Sequence, residues 1–148
     1  MSVTEAFLNP FRVLVVDRNI AIRTGVAAIL RSADIQSVYE ADCWPDAVRL
    51  AQEHQPDVVL IDVRFLVEPG GRQLRRLKEG SPHSAVLMFA TLYSEIYASR
   101  AGMFGAEGAI SKDLPREELL AAIRAADSRR PLPLAPLDTR PPTPPSLV

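Results

Sequence analysis

The chain has 148 residues, 47% apolar and 24% charged, enough for one domain with a real core and too few for two. Seventeen basic and eighteen acidic residues give a formal charge of −1, which excludes a general coating of nucleic acid or membrane surface but leaves room for a local basic patch. A lone cysteine, Cys43, excludes an internal disulfide framework or multi-thiolate zinc site, and no apolar run approaches the ~18 residues of a membrane span.

Residues 1–10 read as an N-terminal extension without the basic start and apolar stretch of a secretory signal, so a cytoplasmic, reducing location with no membrane partner is expected. Cys43 itself reads as a small buried hydrophobe. The run Phe11–Val16 stops abruptly at Asp17 and predicts a buried strand. Ile22, Val26, Ile29, Leu30 and Ala33 recur at helical spacing, with Asn19 placed to cap the helix. Gln36–Glu40 reads as a second strand. Pro45 sits at the first position of a second helix with Ala47, Leu50, Ala51 and His54 on one face, and Pro56 ends it.

Asp57–Ile61 is the most strand-like run, again terminated by an acid, Asp62. After a loop with Pro69-Gly70-Gly71 come a short helix, Gln73–Lys78, a fourth strand, Ala85–Ala90, and a fourth helix, Ser94–Phe104. Ala109-Ile110 predicts a brief fifth strand, and Arg116–Ala126 the last helix, with Pro115 near its start. Of the thirteen prolines, seven lie between Pro131 and Val148, so residues 128–148 are expected to form a linker or tail, with a proline-module ligand as the lesser reading. Strands alternating with helices at this spacing imply an α/β domain over 11–127, a doubly wound parallel sheet of five strands with five helices.

In such sheets ligands sit outside the carboxyl ends of the strands. Asp17 and Asp62 end the first and third strands there, and Lys112 follows the fifth. Hard oxygens suit a divalent ion such as Mg2+ and an ammonium suits a phosphoryl oxygen, although acids after strands also cap helices and a lone lysine is often solvated.

Arg12–Arg31, Pro56–Arg64 and Gly105–Asp113 together resemble the receiver domain of bacterial two-component response regulators, in particular the LuxR-type. The resemblance covers residues 11–127 and implies a flavodoxin-like sheet in the order 2-1-3-4-5. It makes Asp62 the phosphoacceptor, Asp17 a metal-binding acid, the Arg64 backbone carbonyl a metal ligand and Lys112 the phosphate-contacting lysine. A histidine kinase would be the phosphodonor, and Mg2+ the cofactor.

Departures from that pattern matter equally. The family has two adjacent acids after the first strand, whereas here the second is Arg18. Asp17, Asp62, Arg18 and Lys112 then sum to zero, where three acids and a lysine would leave two negative charges. Each unit pair at ~4 Å is worth about 4 kcal/mol at an effective dielectric of about 20, so weak Mg2+ binding is expected. Arg18 could swing into solvent or bridge Asp62 or Asp17 in place of the ion; the bridge is our expectation. Ala90 stands where the family has a Ser or Thr hydroxyl, and Thr91, one place late, should point to the opposite face. Ala109 occupies the usual aromatic switch position, so both halves of the relay are alanine.

These substitutions suggest an atypical receiver that acts through protein contacts to regulate transcription. A conventional Mg2+-dependent acceptor is the alternative, and a small hydrolase or nucleotide-binding enzyme is weaker still because no phosphate loop, nucleophile elbow or zinc-protease pair occurs. Tyr93 and Tyr97 would suit a homodimer patch on the face of the fourth helix, fifth strand and fifth helix. DNA would be reached only through a separate output domain or partner. Arg72, Arg75, Arg76 and Lys78 read as a solvated helix face, Trp44 as a packing residue, and His54 and His83 carry no chemistry.

Overall fold

A computed structural model of the chain describes residues 10–67, 71–91 and 101–127. Strands β1 (Arg12–Val16), β2 (Ser37–Ala41), β3 (Val58–Asp62), β4 (Ala85–Ala90) and β5 (Gly108–Ser111) form one parallel sheet. Its order is β2-β1-β3-β4-β5, the flavodoxin-like arrangement that the receiver resemblance implies. Helices α1 (Ile20–Ser32), α2 (Trp44–His54), α3 (Gly71–Gly80) and α4 (Arg116–Ala125) cover it, with a single helical turn at Arg64–Val67 and a 3-10 turn at Ala101–Phe104.

Side chains alternate across each strand, so one sheet supplies two cores. Leu14, Val16, Val59, Ile61, Val86 and Met88 pack with Ala47 and Ala51 of α2 and Leu74 and Leu77 of α3. Val13, Val15, Val58, Leu60, Leu87 and Phe89 pack with Val26 and Leu30 of α1 and Leu119 and Ile123 of α4. Continuous apolar strands are the physical requirement of this double cover, which is why β1, β3 and β4 are buried almost throughout.

Several boundaries differ from the sequence expectation for identifiable reasons. The second strand runs one residue later, because its register pairs Arg12 with Ser37 and Val16 with Ala41. Helix α2 begins at Trp44, with Cys43 as a partly exposed cap residue, so Cys43 is not the buried hydrophobe expected. The same helix is ended by Gln55 in the left-handed conformation (φ 50°), one residue before Pro56. The Gln55 side chain donates to Gly80 O at 2.7 Å and so ties the ends of α2 and α3 together. Helix α3 extends two residues beyond each end of the predicted segment. Of the predicted fourth helix, only Ala101–Phe104 is described, and Tyr93 and Tyr97 lie outside the described residues, as do 1–9 and 128–148.

Candidate functional site

The parallel register builds the site. Val16 is aligned with Ile61, so the residue after each, Asp17 and Asp62, arrives at the same edge of the sheet. Each carboxylate then bends back to a backbone amide two residues on: Asn19 N donates to Asp17 Oδ1 at 2.9 Å, and Arg64 N donates to Asp62 Oδ1 at 2.7 Å. This is the Asx-turn geometry that short acidic side chains favour at strand ends. Asn19 in turn accepts from Ile22 N at 3.1 Å and caps α1, while Arg23 Nη1 donates to the Asp17 carbonyl at 2.7 Å.

Lys112 enters from the next loop. Ser111 is aligned with Ala90, and Lys112 N donates to Ala90 O at 2.9 Å, which fixes the lysine one residue beyond β5. Its ammonium donates to Asp17 Oδ2 at 2.5 Å and to Asp62 Oδ2. Asp17 is 0% and Asp62 2% exposed, and the Lys112 side chain 5%. Buried charges survive only when paired and hydrogen-bonded, and here the lysine joins both acids.

The fourth charge is Arg64, whose side chain had no role in the sequence analysis. Its Nε donates to Asp62 Oδ1 at 3.1 Å and its Nη2 to Asp62 Oδ2 at 3.0 Å, a two-pronged match of guanidinium to carboxylate. The same Nη2 lies 3.9 Å from Asp17 Oδ1. The bridge expected of Arg18 is therefore made by Arg64. Arg18 instead lays its guanidinium over the Phe65 ring, 4.7 Å from the centroid. The sequence signal for Arg64 was its place two residues after Asp62, where an Asx turn brings its backbone amide to the carboxylate.

Burial alone would raise the Asp62 carboxyl. Hydrogen bonds from the Arg64 side chain, from Lys112 and from the Arg64 amide outweigh it and hold the group below its ordinary value. The same pairing raises Arg64 above its own.

Beside these charges lies a cleft of about 340 Å³ lined by Asn19, Ile22, Asp62, Val63, Arg64, Ala90 and Thr91. Ala90 presents no hydroxyl to it. Thr91 lines the same cleft, since β4 ends at Ala90 and strict alternation no longer governs the next residue. Ala109, aligned with Met88, packs against the core cluster that contains Phe65. A larger depression of about 600 Å³ between α3 and the Ala101–Phe104 turn shares no residue with the acidic cleft. Arg72, Arg75 and Arg76 are exposed and Lys78 pairs with Glu107, as a solvated face should. Trp44 packs edge-on against Phe65 at 5.6 Å, and His54 stacks on Tyr39 at 4.0 Å.

A doubly wound parallel sheet in this order, with two strand-end aspartates and a lysine gathered at its carboxyl edge, is the arrangement of a signalling receiver domain. Residues 13–124 match the model of the response regulator receiver domain, and the chain belongs to that family. It is 35% identical over 114 residues to the response regulator GacA of Pseudomonas aeruginosa, covering 76% of this chain and 53% of that protein. The chain thus spans about half the length of the curated relatives it matches. Among solved structures, it resembles the receiver domain of the putative response regulator NarL from Mycobacterium tuberculosis, with a TM-score of 0.67 and 28% identity over 81% of this chain and 98% of that one. The beryllofluoride-activated NtrC4 receiver domain dimer is similar too, with a TM-score of 0.66 and 28% identity over 78% of this chain and 95% of that one.

Receiver domains typically bind Mg2+ in their acidic pocket, and the donor set here differs from what that ion needs. Asp17, Asp62, Arg64 and Lys112 sum to zero charge, and every oxygen of the two carboxylates already accepts from a protein donor. Mg2+ dehydrates reluctantly and is held chiefly through carboxylate oxygens, which here are already taken. In this arrangement the residues do not fit it.

Proposed function

We propose that this chain is the receiver of a two-component system in which phosphoryl switching is weak or absent, and that its output is carried by protein–protein contacts that regulate transcription. The observation that carries the reading is the neutral pocket: Arg64 and Lys112 already satisfy Asp62, and Ala90 supplies no hydroxyl for a phosphoryl oxygen. In this reading 11–127 is the receiver unit and 128–148 a proline-rich linker or tail. The module is non-enzymatic and cytoplasmic, works as a homodimer through the face of the predicted fourth helix, β5 and α4, and reaches DNA only through a separate output domain or partner. Among the described residues no helix is long and apolar enough to cross a membrane.

Retention of Asp62 and Lys112 favours a second reading, a conventional acceptor phosphorylated at Asp62 by a histidine kinase. Incubation with acetyl phosphate and Mg2+, followed by intact-mass and peptide mass spectrometry, separates the two. The expected result is no accumulated phosphoaspartate at Asp62 and self-association unchanged by Asp62→Asn. A stable, Mg2+-dependent adduct that alters self-association would establish the conventional switch.

A further inference from the structure

The two arginines at the carboxyl edge have divided labour, and the division points to more than a blocked pocket. Arg64 contacts Asp62 through both prongs of its fork and comes within 3.9 Å of Asp17, so one guanidinium spans the two acids that a bridging cation would have to share. Its side chain is nevertheless 62% exposed, so it reaches the pair from the solvent side and has an open path away from it. The neighbouring residue turns the other way: Phe65 is 2% exposed, with Arg18 on its face and the Trp44 indole against its edge. The Leu66 N to Val63 O bond of 2.9 Å closes the turn around them. With Phe65 anchored inward, Arg64 is left on the side of the turn that faces Asp62.

We propose that Arg64 is the resident counter-ion of this receiver, standing where a divalent cation would otherwise be shared by Asp17 and Asp62, and that Arg18, Phe65 and Trp44 form a clamp that positions it. Arg64 excludes the metal by competition for the same carboxylate oxygens. Arg18 and Phe65 are positioning residues that act through the turn. This inference rests on the reading of a weak or absent phosphoryl switch and adds a cause: the metal is displaced by one removable side chain.

The consequence is a gain of function on deletion. Taking away one positive charge leaves the pocket at −1, and Arg64→Met keeps the apolar stem while removing the fork. Mg2+ affinity should rise about tenfold or more in Arg64→Met; the exposure of the arginine screens it and keeps the gain from being larger. Arg64→Lys, which retains charge but not the two-pronged geometry, should fall between. Phe65→Leu alters no charge, yet it should raise Mg2+ affinity several-fold by loosening the clamp, whereas Phe65→Tyr should behave as wild type.

The test is an MgCl2 titration of the full chain and these four variants, read by calorimetry and by the fluorescence of Trp44, the single tryptophan. Urea melts with EDTA or with MgCl2 provide a second readout: Mg2+ should stabilise Arg64→Met and leave wild type unmoved. Tight binding in Arg64→Met with weak binding in wild type supports the proposal. Equally weak binding in both overturns it while leaving the reading of an idle switch intact, since the missing second acid would then be the cause. Equally tight binding in both overturns the proposal and removes the pocket argument for that reading. Phe65→Leu binding Mg2+ no better than wild type would overturn the clamp.

Discussion

The loops after β1 and β3 begin identically and end differently. Each is led in by a buried aspartate at or just past the strand end, whose carboxylate accepts from the backbone amide two residues on. After Asp17 that second residue is Asn19, which caps a long helix, and the arginine sits at the first place and is thrown outward onto Phe65. After Asp62 the first residue is Val63 and the arginine sits at the second place, where its backbone is already bonded to the carboxylate and its side chain folds back upon it. In these two loops the arginine one residue after its aspartate lies on an aromatic ring, and the arginine two residues after its aspartate pairs with the carboxylate.

The largest effect on this pair of loops should come from the charge they share. Lys112→Met leaves two buried carboxylates facing each other and should cost about 3 kcal/mol in urea unfolding, partly recovered by Asp62→Asn in the double variant. Phe65→Ala, which removes the buried ring beneath Arg18 and beside Trp44, should cost a similar ~3 kcal/mol and red-shift the Trp44 emission. A loss below about 1 kcal/mol would mean that the clamp does not hold the turn.

Acid sharpens the comparison further. Asp62 has a folded-state pKa below its ordinary value of 3.8, so its pairing contributes stability that is fully present above that value. The contribution is lost as pH falls through the lower, folded-state value, and a wild-type stability profile should therefore decline below the ordinary value. Arg64→Met should make that decline shallower, because losing the guanidinium removes one of the groups that hold the carboxyl down while Lys112 and the residue-64 amide remain. At neutral pH the same substitution should cost no more than about 1 kcal/mol, since the guanidinium is mostly solvated. The smallest effect is expected for Arg18→Ala, about 0.5 kcal/mol by thermal melt, with a measurable change in Trp44 fluorescence.

How much of this was legible beforehand follows from the range of the forces. Alternation of short apolar runs with helical spacing is local, and it predicted β4 at Ala85–Ala90 and the last helix from Arg116 with the boundaries found, within a residue. The helix cap at Asn19 was equally readable, because a cap involves only near neighbours in the chain. The β2 shift and the longer α3 were not, since strand register and helix ends are settled by what packs across the sheet. Cys43 was misplaced for the same reason: a cap position leaves it partly exposed whatever its apolarity.

By itself the sequence determined the alternation of strands and helices and placed Asp17, Asp62 and Lys112 after strand ends, and these three converge because β1 and β3 are neighbours in the sheet. Only the tertiary structure decided which arginine answers them. Arg18 and Arg64 are alike in charge and reach, and the choice between them rests on the direction in which each turn launches its side chain and on a phenyl ring, Phe65, that is available as a surface only after α2 and the β3 loop have packed together.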